Sequence, residues 1–134
     1  MRRAWLPIAA LLFLAGAGCS GNETGPVAGE LVVQLTTPST NDRAVLLRLV
    51  GTQTGARAAP GHLYAVYTSS VAGDTAVIAV VAPQSAALAA GDLLRVSVSD
   101  SRKVRSYSAI LTQVAGADYQ LRDVRLYTLV VARP

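Results

Sequence analysis

The sequence predicts an all-β domain, a two-sheet sandwich of about seven short strands, set behind a separate N-terminal segment. Three observations carry this. From Glu30 onward apolar residues recur with the period of two that a half-buried strand needs, and helical heptads are absent. Gly, Pro, Asn, Asp and Ser interrupt the pattern at roughly regular spacing, as turns between short strands do. About 115 residues remain once the N-terminal segment is set aside, which suits one hydrophobic core and one domain.

The N-terminal segment has three parts: Arg2 and Arg3, an uncharged run over residues 4–18, and Cys19 behind small residues. That is the layout of a secretory signal. The run contains Pro7 and falls short of the roughly twenty apolar residues that a helix needs to cross ~30 Å of hydrocarbon, so a removable signal is expected rather than a permanent span. Its ending, "LAGAGC", resembles the lipobox of bacterial lipoproteins: Gly18 and Ala17 fit the two positions before the cysteine, while Gly16 stands where the family usually has Leu. The resemblance implies that residues 1–18 are a lipoprotein signal peptide and that Cys19 is the lipid-attachment residue, with two chains on a thioether glycerol and usually a third, palmitate-like chain on its amine. At about 0.8 kcal/mol per buried CH₂, two or more chains give stable membrane attachment where one does not. Ser20 rather than Asp follows the cysteine, and by analogy with enteric bacteria this favours the outer membrane within the bacterial cell envelope. Residues 19–29 then read as the lipidated cysteine and a flexible tether, polar and Gly-rich, and residues 30–134 as the sandwich domain.

Within the domain, "ELVVQLTT" puts Leu31, Val33 and Leu35 on one face, and "RAVLLRLVG" does the same with Val45, Leu47 and Leu49. The "PSTND" between them suggests that these two strands form a hairpin. Residues 51–61, "GTQTGARAAPG", read as a long edge loop. In "HLYAVYTSS" the alternation puts Tyr64 and Tyr67 on opposite faces, so only one of them can reach the core. "TAVIAVVA" is nearly continuous in apolar residues and is expected to be buried on both faces or central in a sheet. "PQSAALAAGD" has room for one helical turn at most. "LLRVSVSD" points Leu94, Val96 and Val98 inward and Arg95, Ser97 and Ser99 outward. Strands over 104–116 and 124–132 complete an Ig-like set of seven, for which a small barrel is the other all-β arrangement.

"DRAVLLRLVG" and "ALAAGDLLRVSVSD" resemble parts of cohesin-type β-sandwich modules, over about half of the domain. The sequence departs from that family in having "GTQTG" after the second strand, where Tyr-Asp is usual, and in lacking an aromatic residue after Leu94. The resemblance implies a cohesin-like architecture and a binding role in which one sheet face receives a small partner domain; it implies no particular contact residue.

Each kind of catalysis requires particular residues, and the sequence supplies few of them. With the leader removed, ten basic residues face eight acidic ones, too even a balance for a nucleic-acid footprint, and no nucleic-acid partner is expected. Lipidation of Cys19 leaves no thiol for a disulfide, a cysteine-based metal site or a nucleophile. The five tyrosines are the only aromatic residues beyond the leader, and tryptophan, usual in carbohydrate platforms, is missing there. His62 is the only histidine, and no Gly-x-Ser-x-Gly elbow accompanies it. Asp42, Asp74, Asp92, Asp100, Asp118 and Asp123 could pair for glycoside hydrolysis, but the first four stand in turn contexts where local backbone bonds occupy a carboxylate. No Asp-x-Asp spacing or phosphate-cradling glycine loop occurs, so no metal site and no cofactor are expected. "SRKVR", with Arg102, Lys103 and Arg105, is either a solvated loop or a contact for anionic lipid or polysaccharide. The expected function is therefore non-enzymatic: a lipid-anchored envelope module that binds a protein or glycan partner or supports an envelope assembly. The alternative is an envelope hydrolase, or an accessory subunit of one, built on the aspartates and His62; it requires several of them in a single cleft.

Overall fold

A computed structural model describes residues 25–134. They form eight strands: β1 Gly29–Thr36, β2 Asp42–Val50, β3 Gly55–Ala58, β4 Ala65–Ala72, β5 Thr75–Val81, β6 Gly91–Val98, β7 Ser108–Gly116 and β8 Thr128–Ala132. Two four-stranded antiparallel sheets face each other, with orders β3-β6-β1-β8 and β4-β5-β2-β7. The all-β sandwich holds, with one strand more than the sequence suggested.

The additional strand is β3, inside the segment read as an edge loop. Its four residues alternate weakly, yet Ala56 and Ala58 pair with Val96 and Leu94 of β6 and pack against the core. Alanine gives too faint an apolar signal to mark a strand by itself. The expected hairpin of the first two strands does not form. β1 is flanked by β6 and β8, and β2 by β5 and β7, so neither has an edge free for the other. Residues 37–41 instead arch from one sheet to the other, and the stripes Leu31, Val33, Leu35 and Val45, Leu47, Leu49 meet across the core. Only β4 and β5, among the described strands, are consecutive in sequence and paired.

The strands expected over 104–116 and 124–132 begin later than the sequence suggests. Residues Ser101–Ser106 and Val124–Leu126 are short 3-10 turns, each capped by the aspartate before it: Asp100 accepts from the Arg102 N–H and Asp123 from the Arg125 N–H. Residues 83–90 form no helical turn.

The core is aliphatic, centred on Leu31, Leu35, Leu47, Leu49, Ile78 and Leu94, with Tyr64 and Tyr127 at its margin. Tyr64 is the buried member of its pair and Tyr67 the exposed one, 9% against 64%. Because the strands alternate in direction, the molecule has two ends. One gathers residues 25–28, the loop after β2, the β4–β5 turn, the 101–106 turn and the last residues of the chain; we call it the near end. The far end carries the 37–41 arch, the 83–90 loop and the segment between β7 and β8.

Candidate functional site

The outer faces of the two sheets differ in chemistry. On the β3-β6-β1-β8 sheet, Glu30 accepts two bonds from Arg57, at 3.0 and 2.9 Å, and lies 3.8 Å from Arg95. Arg95 also approaches Asp92 at 4.0 Å, and Gln34 donates to Asp92 at 3.1 Å. The Arg57 guanidinium holds the Glu30 carboxyl below its usual range, as a charge-assisted fork does. This face carries a cluster of paired charges over the buried Val32, with Val130, 49% exposed, beside it on β8; within the cluster Arg95 Nε has no hydrogen-bond partner among the described residues.

The outer face of the β4-β5-β2-β7 sheet is built differently. Register places Ala65, Val81, Ala44 and Ala115 in one row across the four strands. The next rows are Tyr67, Ala79, Leu46 and Gln113, then Ser69, Val77, Arg48 and Ile110. Leu121, bridged to Ala115 at the β7 edge, extends the surface. Tyr67, Ile110 and Leu121 are 64%, 52% and 67% exposed. A shallow hollow of about 210 Å³ opens between Ala44, Leu46, Ala79, Gln113, Ala115 and Leu121. Arg48 is the single charge in these rows; it is exposed and has no carboxylate within ion-pairing distance among the described residues. A contiguous apolar surface of this kind, with one cation in its last row, is the usual mark of an interaction site.

Alternation in "RAVLLRLVG" already puts Leu46 with Arg48 opposite Val45, Leu47 and Leu49, whereas Ala44, Val77, Ala79 and Ile110 do not stand out in the sequence. The signal was present: in "RAVLLRLV" and "TAVIAVVA" both parities of the period-two pattern are apolar. The run over 75–82 was expected to be covered on both faces or central. β5 is indeed an inner strand, but only Ala76, Ile78 and Val80 are buried, and the opposite set, Val77, Ala79 and Val81, looks outward with nothing over it among the described residues.

The titratable residues are distributed. Asp42, expected in a turn, is the first residue of β2 and fully buried; its carboxylate accepts from the Thr37 hydroxyl at 2.5 Å and the Tyr127 hydroxyl at 2.8 Å at the far end. Burial and the Asp42 carboxylate together push the Tyr127 phenol above its ordinary value. Asp118 and Asp123, also at this end, accept from the N–H groups of Gln120 and Arg125 and pair with Arg122 and Arg125. Asp92 lies on the ionic face, while Asp74 and Asp100 belong to the near end, where they line a polar basin of about 220 Å³ with Lys103 and Tyr107. Arg102 holds the Asp100 carboxyl down at about 2. His62 stacks on Tyr64 with ring centroids 4.5 Å apart, and the Tyr64 hydroxyl accepts from the Ala89 N–H at 3.0 Å. Among the described residues no three His, Cys, Asp or Glu side chains are grouped so that they could hold a metal ion. Cys19, the expected lipid-attachment residue, lies outside the described residues. Comparison with protein-family models, with curated proteins and with solved structures gave no match.

Proposed function

We propose that the protein is a lipid-anchored binding module of the bacterial cell envelope, attached through Cys19, and that the outer face of the β4-β5-β2-β7 sheet receives a protein partner. The observation that carries this is the difference between the two faces: one carries a cluster of paired charges with Val130 beside it, while the other presents half-buried Leu46, Val77 and Ala79 and exposed Tyr67, Ile110 and Leu121 in rows whose one charge is Arg48. A glycan would require stacking platforms, and Tyr67 is the one aromatic in these rows. A protein surface of aliphatic side chains with a carboxylate opposite Arg48 fits better, since desolvated apolar contact supplies affinity and the ion pair fixes register. The likeness of "ALAAGDLLRVSVSD" to cohesin-type modules supports the same binding role.

Photocrosslinking in intact cells tests the face. A photoreactive residue at Leu46 or Ala79 should capture a discrete partner, while one at Gln34 on the ionic face should not. Arg48→Glu should abolish the Leu46 product without lowering thermal stability, because Arg48 is exposed and outside the core. Equal capture from both faces would overturn the docking reading. The anchor is tested separately by the mass of the N-terminal peptide, where a diacylglyceryl adduct on Cys19 is expected. Cys19→Ser should then release the protein from membranes.

A further inference from the structure

The first described residues are fastened to the 101–106 turn. The Val27 N–H donates to the Asp100 carboxylate at 3.4 Å, and the Val27 carbonyl accepts from the Ser101 N–H at 2.9 Å and from its hydroxyl at 3.3 Å. The Arg102 guanidinium donates to the Gly25 carbonyl and to Asp100. The segment expected to be a flexible tether as far as residue 29 is therefore bound to the sandwich from Gly25 onward.

The same turn is where unneutralised positive charge collects. Lys103 and Arg105 are exposed on it, and Arg133 reaches over it to donate to the Arg102 carbonyl. None of the three has a carboxylate within ion-pairing distance among the described residues. The other cations of which this holds, Arg43 and Arg48, lie elsewhere: one by the far-end loop, one in the sheet face. Among the described residues, the carboxylates at this end are Asp74, Asp100, which Arg102 already occupies, and Glu30, which pairs with Arg57 and Arg95.

We propose that this near end rests on an anionic phospholipid surface, with Lys103, Arg105 and Arg133 against the headgroup phosphates. The inference rests on the Cys19 anchor. Six residues of chain from Cys19 to Gly25 span at most about 20 Å, so the anchor keeps the turn close to the bilayer without pressing it there. Contact requires attraction within a Debye length, about 8 Å at physiological salt. Each cation near such a surface biases the equilibrium about fivefold, so three bias it roughly a hundredfold. That is weak for a free protein but sufficient for a tethered one, whose effective concentration at the surface is already in the millimolar range.

The experiment uses the lipidated protein with a fluorophore at Ser106→Cys, reconstituted in phosphatidylcholine vesicles with and without phosphatidylglycerol and read by a quencher on the headgroups. Flotation with both vesicle types reports the anchor; quenching reports the contact. Stronger quenching with phosphatidylglycerol is expected. That excess should be lost in the Lys103→Gln, Arg105→Gln, Arg133→Gln triple variant, and lost again near 1 M salt, where the Debye length falls to about 3 Å. Equal quenching in the two vesicles, with flotation intact, overturns the contact and leaves the anchor standing. Quenching that ignores lipid composition yet is displaced by an anionic polysaccharide also overturns it, in favour of a glycan ligand. Flotation with neither vesicle overturns anchor and contact together.

Discussion

Tyr127→Phe isolates the bond that ties the two sheets together at the far end. Tyr127 precedes β8 in one sheet and Asp42 begins β2 in the other, and the phenol donates to the buried carboxylate at 2.8 Å. The substitution removes one oxygen and leaves the ring, so no cavity of consequence opens. A hydrogen bond to a charged group contributes about 1.5–3 kcal/mol, and its loss leaves a buried carboxylate with a single side-chain donor, the Thr37 hydroxyl. We expect a loss of about 2 kcal/mol, which for a domain of this size lowers Tm by roughly 10 °C.

Two-state urea and thermal unfolding measure this directly. A cycle with Asp42→Ala should show coupling: the double variant should lose less than the two single losses together, because each single change already breaks the shared bond. The phenol adds a pH signature. Its folded-state pKa lies above the ordinary 10.0, so its contribution is fully present below pH 10 and is lost as pH rises through the folded value. Tyr127→Phe should flatten stability across that alkaline range. A Tyr127→Phe protein within about 0.5 kcal/mol of the parent, with full additivity in the cycle, would refute the reasoning.

Two further outcomes follow from the near end. Asp100 has its folded pKa lowered from 3.8 to about 2, so its contribution is present above pH 3.8 and lost as pH falls toward 2; Asp100→Asn should flatten the acid limb of a stability profile over that window. Gly51 has φ +127°, and an added Cβ would strike the Tyr107 ring, whose hydroxyl donates to the Thr52 carbonyl at 2.5 Å. Gly51→Ala should therefore cost about 1–3 kcal/mol in urea unfolding, from backbone strain and overpacking together, whereas at Gly55, where a Cβ meets nothing, alanine should be tolerated.

Period-two patterning located the strands that carry strong aliphatic alternation and assigned their inward faces, because burial acts on each side chain in its own strand. Leu31, Val33 and Leu35 show it, as do Leu94, Val96 and Val98, and the Tyr64/Tyr67 choice follows from the same geometry. Pairing was not legible, since it is decided by partners far away in the chain. The 37–41 segment has the composition of a hairpin turn, and only the occupied edges of β1 and β2 make it an arch. Asp42 was misread for a related reason: its near neighbours suggest turn chemistry, but one of its two side-chain donors, Tyr127, is 85 positions away. The apolar outer face was visible as an excess of aliphatic residues at both parities, which pointed to a strand buried on both faces or central in a sheet; β5 is central, and sequence cannot say whether a second layer covers its outer side.

The near-end proposal and the docking proposal constrain each other. If the 101–106 turn rests on headgroups, the strands rise from the membrane, since both ends of the described chain and the near ends of β2, β5 and β7 lie at that level. The sheet faces then point sideways. Tyr67, Leu46 and Ile110 would be presented in the plane of the envelope, toward a neighbour on the same membrane, and the Asp42 cluster would point away from it. A partner also attached to that membrane meets the face at high effective concentration, so a modest apolar surface with one cation suffices where a freely diffusing partner would need a larger one. Cys19→Ser should thus weaken partner capture at Leu46 as well as release the protein.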